Sequence, residues 1–571
     1  MKNSHDVQIT LLAKDKLAVS FSYRDEFVVK IRGLSERRWD PELRHWEVGI
    51  SQLSELMQIF ALETKHVPRD VMRAYQVHRI RHGRVKITVG PCQATIVGFN
   101  LPLAAIDRQT SCFVPGYRFM KTFRDGNWDG KRHFFDPVTG QFPSGFVPRI
   151  VKILRQKQLD FDLVWMDGGR GALMKDKPAA PGPQPDTVVQ TPLRDYQARC
   201  VKVALSDGRG IIEIATGGGK TLIGAHIIHR LPRPALFLVH SRDMLYQTIQ
   251  VLERELKIPI GCVGDGHAKI ETVTVATVQT CARAADVKLD STPDGDSLAK
   301  DKNLPDASMR TLREFLQSVP VVIFDECHHL PADTVYGLAM SMTSAHWRFG
   351  LSATPYRADR QELLIEAALG PKLFSARASA LIEQGYLVPP RVRFLQVPPL
   401  VVRGNGIDYQ EIYKTYVVEN RRRNKLIADS AKKLARTGKS VLVLVLHVVH
   451  GEILHQMMGG IPLVHGTHSA KYRQETFTAL NRKELLIAIA TALADEGLDI
   501  PTLDCIILAG AGRSETRALQ RVGRALRKAP GKDHAIIIDF MDDAPYLRDH
   551  AADRLNLYKT EPQFILEVDQ A

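Results

Sequence analysis

The chain has 571 residues, 44% hydrophobic and 25% charged, a composition that excludes a disordered or collagen-like protein. That length predicts about three or four domains, with ample chain to bury several cores. A formal net charge of +14 and a pI near 9.4 favour a polyanionic partner, nucleic acid first. The seven cysteines are scattered with no C-x-x-C pair, which argues against a zinc site or disulfide framework and for a reducing compartment. The N-terminus MKNSHDVQIT lacks an apolar secretion core, and no apolar run approaches the ~20 residues that span a bilayer. The expectation is a soluble, cytoplasmic protein.

In residues 1–66, Val7-Ile9-Leu11, Leu17-Val19-Phe21 and Phe27-Val29-Ile31 alternate apolar with polar positions and predict short antiparallel strands. Arg37-Arg38-Trp39-Asp40-Pro41 and Arg44-His45-Trp46-Glu47-Val48 follow around a tight turn, and then a helix over 51–61. Arg38 and Trp39 suit a surface that stacks on bases and neutralises phosphates; two tryptophans can equally plug a small core. The run RRWDPELRHWEV resembles the HARP-type module of annealing helicases and of some phage and bacterial helicases.

Residues 84–166 predict a second small module, with Val85-Ile87-Val89 as a strand. Between Tyr117 and Phe135, aromatics including Trp128 interleave with Lys121, Arg124, Lys131 and Arg132, and two Asp-Gly pairs supply turns. Aromatics beside cations are what a nucleic-acid groove needs; a β-rich core with a basic rim is the other reading. The pattern GNWDGK…FPSGFVPR resembles the N-terminal accessory domain of UvsW-type phage recombination helicases, which implies DNA contact. Residues 167–191 are rich in Gly, Ala and Pro without periodicity, as in a linker.

From residue 192 the pattern becomes strand–helix alternation. Apolar strands are predicted at 210–214, 235–239, 273–278, 319–324 and 348–351, then again at 440–446, 461–464, 485–490, 505–508 and 535–539. Such alternation means an α/β fold, here a parallel sheet covered on both faces and built twice, over 192–375 and 376–545. Residues 380–390 read as a hinge, 286–306 as a polar insertion and 546–571 as a C-terminal tail.

The chemistry sits at strand ends. Gly210 to Ile214 is a buried strand; Thr216, Gly217, Gly218 and Gly219 form a turn; Lys220 and Thr221 open a helix. Successive backbone N–H groups and the helix N-terminus cradle a phosphate there, Lys220 reaches the β- and γ-phosphates of ATP, and the Thr221 hydroxyl holds Mg²⁺. Ile214 stands where the strict pattern has its first glycine. A second apolar strand ends in Asp325 and Glu326: one carboxylate for Mg²⁺, the other to orient and deprotonate the attacking water. Cys327 and His328 complete the box, and a Cys-His metal pair is the alternative. Ser352 and Thr354 follow the next strand, positioned to couple it to the acids. Upstream, Gln197 is an amide suited to the adenine edge, with Arg194 and Tyr196 beside it. Downstream, Gln520-Arg521-Val-Gly523-Arg524-Ala-Leu-Arg527 offers Arg524 and Arg527 as arginine fingers from a facing domain.

IATGGGKT, DECHH, SAT, TALADEGLDIP and QRVGRALR stand in the order and approximate spacing of superfamily-two helicases, over about 350 residues. The set is most similar to the group that includes UvsW and the XPB-like enzymes. The resemblance implies two tandem RecA-like domains, preceded here by two small α+β modules. It implies that Ser241, Arg242, Thr277 and Thr491 line a nucleic-acid track. It also implies that Asp495 and Gly497 couple ATP to the second domain, with Gly497 and Asp499 at the nucleotide and Gln520 in the coupling group. The function so implied is an ATP-driven DNA helicase or translocase on forked or branched DNA; an RNA helicase, a duplex translocase that separates no strands, and a scaffold with a dead ATPase site are the alternatives.

Overall fold

Alternation predicts three strands at the start of the chain, and a computed structural model has two of them. Val7–Ala13 and Lys16–Phe21 form an antiparallel hairpin, but Asp25–Arg32 is a helix. Acidic residues begin that helix and basic residues end it, matching its dipole. Its buried face is Phe27, Val28 and Ile31, while Val29 points to solvent. Helical spacing therefore overrides the apparent alternation. The structure describes residues 7–13, 15–63, 66–82, 85–98, 101–166, 189–287, 304–354, 362–400, 408–491, 500–510 and 515–568. Most of the expected linker and of the 286–306 insertion lies outside them. The chain divides into two units, Met1–Asp176 and Lys177–Ala571.

In the first unit, the opening hairpin continues through His45–Gly49 to Arg37–Asp40 as a four-stranded sheet. Its core holds Leu17, Val19, Ile31, Trp46, Leu53 and Val71. Val71 belongs to the helix Arg69–His82, so the module runs past residue 66, where the sequence pattern had ended it. The two tryptophans divide the readings between them. Trp46 is buried, and Trp39, ring centroid 5.3 Å away, is 45% exposed. A second four-stranded sheet places Phe161–Trp165 parallel to Val85–Val89, followed by Gln93–Val97 and Gln141–Pro143. The helix Val147–Gln156 buries Val147, Ile150, Ile153 and Leu154. Separate from that sheet is a two-stranded ribbon of Ser111–Phe113 and Lys131–His133.

The second unit contains two larger sheets. The first has eight strands, in the order His267–Lys269, Ile260–Gly264, Val273–Thr277, Ala235–Val239, Val321–Asp325, Trp347–Ser352, Arg209–Ile214, Lys372–Ala376. All pairings are parallel except that of the terminal ribbon His267–Lys269. The central strands are buried along their whole length, as a parallel sheet covered on both faces requires. The second sheet has seven strands, in the order Leu463–Val464, Ile487–Thr491, Val441–Val445, Cys505–Leu508, Ala535–Met541, Pro390–Gln396, Ile565–Val568. Among the described residues no helix is long and apolar enough to cross a membrane.

The last strand corrects the expectation of a tail. Residues from Leu547 to Lys559 form a helix, and Ile565–Val568 pairs parallel with Pro390–Gln396 at the sheet edge. The helix is held from inside. Arg554 sets Nε 2.9 Å and Nη2 2.8 Å from the two carboxylate oxygens of Asp539, on a central strand, with both side chains buried. Such a helix shows little apolar stripe, because a charged pair supplies part of its inner face. Replacing Arg554 by Leu leaves a buried, unpaired carboxylate and is expected to destabilise this lobe by about 3–5 kcal/mol. A lower unfolding midpoint that the further change Asp539→Leu partly restores is the expected result; an unchanged midpoint for Arg554→Leu would remove the pair from the account.

Candidate nucleotide site and nucleic-acid surfaces

The strand Arg209–Ile214 ends in the glycine loop, and the helix Lys220–Arg230 begins directly after it. Gly217 and Gly219 take φ of +84° and +80°, the left-handed region glycine enters without strain. Crowding explains the third glycine. A Cβ on Gly218 would lie 2.5 Å from Cγ2 of Ile214. The isoleucine that replaces the first glycine of the strict pattern is thus a buried prop under the loop.

Gln197 and Tyr196 prop the loop as well. The Tyr196 hydroxyl and the Gln197 amide donate to the Gly218 carbonyl at 2.6 and 3.0 Å. The Gln197 carbonyl oxygen accepts from the Arg194 backbone N–H at 2.9 Å. With both ends of its amide engaged and its side chain buried, Gln197 holds the loop's backbone, which differs from the expected adenine contact. Arg194 lies 4.9 Å over the ring of Tyr386.

The strand Val321–Asp325 delivers the acids beside this loop. Lys220 Nζ is ion-paired with Glu326, whose backbone is left-handed at φ +47°, a conformation non-glycine residues hold only where surroundings impose it. Burial opposes charge on Glu326, but Lys220 and then His328 outweigh it and hold the carboxyl well below the usual range. Burial likewise opposes the Lys220 ammonium, and Glu326 and Asp325 outweigh it. For Asp325 burial wins and pushes the pKa up to about 6. His328 Nδ1 lies 3.3 Å from Glu326 and 3.1 Å from the Ser352 hydroxyl, and the Thr354 N–H donates to Ser352 at 3.2 Å. Ser352 and Thr354 are therefore tied to the acid box by a short chain of hydrogen bonds. Two further histidines, unanticipated, extend it: the rings of His328, His329 and His240 follow at centroid distances of 4.2 and 4.3 Å. Burial pushes the Cys327 thiol far up, and among the described residues Cys327 and His328 join no group of three metal-ligating side chains. Thr221 and Asp325 carry hard oxygen donors of the kind Mg²⁺ takes.

The second lobe reaches the loop through the helix Glu515–Ala525 and the residues after it. A Cβ on Gly523 would lie 2.6 Å from Thr216 Cβ, and one on Gly217 would lie 3.1 Å from Arg527 Cγ. Burial pushes the Arg527 guanidinium down to about 10. Arg527 thus sits against the glycine loop, with Arg524 one turn earlier and half-buried. A cavity of about 260 Å³ lies alongside, lined in part by Thr216, Thr354, Arg377 and Gly523. An interlobe bond that the sequence did not suggest joins Arg473 to both carboxylate oxygens of Asp243 at 2.9 Å. Asp495, Gly497, Asp499 and the side chain of Gln520 lie outside the described residues.

The expected nucleic-acid residues fare unevenly. Ser241, Thr277 and Thr491 all stand at or just beyond the C-terminal ends of parallel strands, where such folds bind ligands. Ser241 caps the helix Arg242–Leu256, and Arg242 is ion-paired with Asp265. Thr277 and Thr491 are buried, Thr277 with its hydroxyl bonded to Thr280 at 2.9 Å; in this arrangement neither is open to a strand of nucleic acid. In the first unit Arg38, Trp39, Lys121 and Arg124 are exposed, and Lys131 and Arg132 are half-buried. Trp128 is half-buried, and its indole N–H donates to the Lys131 carbonyl at 2.8 Å, so its polar edge fixes the turn.

Two parallel-sheet lobes, a glycine loop and acid pair on one and arginines advanced from the other, define a two-lobed RecA-like nucleoside triphosphatase. Residues 190–357 match the family described as type III restriction enzyme, res subunit, and residues 423–529 match the helicase conserved C-terminal domain. Residues 190–357 and 423–529 thus carry the two domains of a superfamily-two helicase related to UvsW and XPB. The chain is 24% identical over 375 residues to the DNA 3'-5' translocase XPB2 of Sulfurisphaera tokodaii, covering 59% of this chain and 79% of that one. It is 23% identical over 505 residues to the ATP-dependent DNA helicase uvsW of Enterobacteria phage T4, covering 78% and 91%. It is 26% identical over 357 residues to the DNA 3'-5' helicase XPB of Kineococcus radiotolerans, covering 60% and 58%.

The approach at Gly523 yields a direct test. Valine there would wedge the two lobes apart by overpacking against Thr216. Gly523→Val should lower steady-state ATP turnover by about tenfold or more with an unchanged unfolding midpoint. Wild-type turnover would mean that this helix does not meet the loop in the working enzyme.

Proposed function

We propose that this protein is an ATP-dependent DNA helicase or translocase that works on forked or branched DNA, unwinding, migrating or annealing strands in recombination, repair or replication. The carrying observation is the pairing of Lys220 with Glu326 at a glycine loop that Arg527 approaches from the other lobe. A lysine that leaves its carboxylate for the β- and γ-phosphates frees the base as ATP arrives. Binding and base activation then become one event. Glu326, ionised and held by His328, orients the attacking water and takes its proton. Thr221 and Asp325 would hold the magnesium ion, which screens phosphate charge. Arg524 and Arg527 stabilise charge developing on the γ-phosphoryl oxygens, and only when the lobes meet. Ser352 reports the state of the acids through its hydrogen bonds.

DNA is favoured over RNA by the names of the XPB and UvsW relatives. A forked or branched substrate is favoured by the likeness to UvsW, which spans 78% of this chain and so more than the two lobes alone. Residues 1–66 resemble a HARP-type module, and with the following module they would hold DNA at the junction. Phosphate contacts are sequence-blind, so affinity should fall steeply with salt.

ATP turnover measured with single-stranded, forked and duplex DNA and with RNA tests this reading. Stimulation should be strongest with forked DNA. RNA-selective stimulation would mean an RNA helicase, duplex-only stimulation a duplex translocase, and a flat response would end the motor reading. Glu326→Gln should keep ATP and DNA binding yet lose about 10²–10⁴-fold in turnover; near-normal hydrolysis would place the base elsewhere. Deleting residues 1–165 should weaken forked-DNA binding far more than basal hydrolysis; the opposite pattern would make those modules structural.

A further inference from the structure

We propose that Phe113 and Phe119 form a stacking site for unpaired DNA bases, flanked by cations that take the adjoining phosphates. The inference rests on the DNA-helicase reading above and names the part of the substrate that the second small module recognises.

Phe119 is 84% exposed and Phe113 is 51% exposed, with Met120 exposed beside Phe119 in the chain. Large apolar rings so placed contribute little to the core. The support beneath them is by contrast well built. The ring of Tyr117 stacks on Phe113 at 4.7 Å and 22°, and Phe123 meets Tyr117 edge-on at 4.8 Å. Tyr117 packs against Gly130, where a Cβ would be only 2.4 Å from the ring and φ is +81°. Trp128 holds the turn that brings Lys131 to Phe113, its ammonium 5.3 Å from the ring centre. Phe113 and Lys131 are direct partners across the ribbon. The platform under Phe113 is therefore preorganised, and half of Phe113 and most of Phe119 stay exposed.

The surrounding charge selects that ligand. From Tyr117 to Arg132 the chain carries Arg118, Lys121, Arg124, Lys131 and Arg132 against Asp125 and Asp129. Asp129 is engaged within its own turn, accepting from the Lys131 N–H at 3.0 Å and facing His133 at 3.1 Å, although its side chain is half exposed. Arg118, Lys121 and Arg124 are exposed. An apolar protein partner has no use for that cationic rim, whereas a nucleic-acid strand does. Paired bases have both faces already stacked, so aromatic rings gain most from bases that are unpaired, as in the arms of a fork.

The full-length double variant Phe113→Ala/Phe119→Ala tests this by fluorescence anisotropy, with a fork bearing single-stranded arms and a blunt duplex of equal length. Fork affinity should fall by about tenfold or more while duplex affinity changes by less than about twofold. Phe119→Trp should retain fork binding and Phe119→Leu should not, because stacking and not bulk is at issue. A 2-aminopurine in the arm should brighten when the stack is lost. Equal losses on fork and duplex, no loss on either, or a variant that changes only self-association would each overturn the proposal. Both rings are exposed, so the unfolding midpoint should not move. Wild-type ATP turnover with the same fork separates the two readings: stimulation with no effect of the double variant on fork binding overturns the stacking site alone, and no stimulation by any DNA overturns the helicase reading beneath it.

Discussion

The glycine loop of the first lobe and the helix of the second approach so closely that only glycine fits at Gly523, and Arg527 lies against Gly217. Much of the second unit follows from that constraint. A loop built of backbone N–H groups offers a phosphate cradle without charge of its own. Charge comes from Lys220 on one side and from the arginines of the other lobe. In the structure, Lys220 is neutralised by Glu326, which keeps a buried ammonium from standing alone. On the proposed reading, a triphosphate competing for Lys220 would change the state of Glu326 as well as fill the loop.

The lobes are joined by contacts of unequal strength. The Val388 N–H donates to the Leu526 carbonyl at 2.8 Å, and a bridge joins Leu387 to Arg527, so the chain just past the connector is held to the arginine helix. The buried carboxylate of Glu561 accepts from the Ser379 N–H and hydroxyl at 2.9 and 2.6 Å, so the C-terminal segment straps the connector. The pair of Arg473 and Asp243 is partly exposed, and a pair of that kind contributes on the order of 1 kcal/mol or less.

Several roles moved once the side chains were seen in place. Gln197 and Trp128 are motif residues whose polar groups are consumed by their own backbone surroundings. Ile214 breaks the strict loop pattern because it fills the space under Gly218. In the second small module the exposed aromatics are Phe113 and Phe119, not the tryptophan that stood out in the sequence. Exposure depends on what covers a ring, and a motif does not record that.

The order and spacing of glycine loop, acid pair and arginine helix, and the two rounds of strand–helix alternation, were legible in the sequence by itself. They depend on local patterns: period-two and period-3.6 apolar runs, and phosphate chemistry confined to strand ends. What only the tertiary structure decided are relations between distant residues. These are the Lys220–Glu326 pair across 106 positions, the Asp243–Arg473 bond across 230, and the return of the C-terminal strand to the edge of the second sheet. The helix at Asp25–Arg32 belongs with them, since its short pattern suits either structure until a core exists to choose a face. Packing made those choices, and packing energy is a property of the assembled fold.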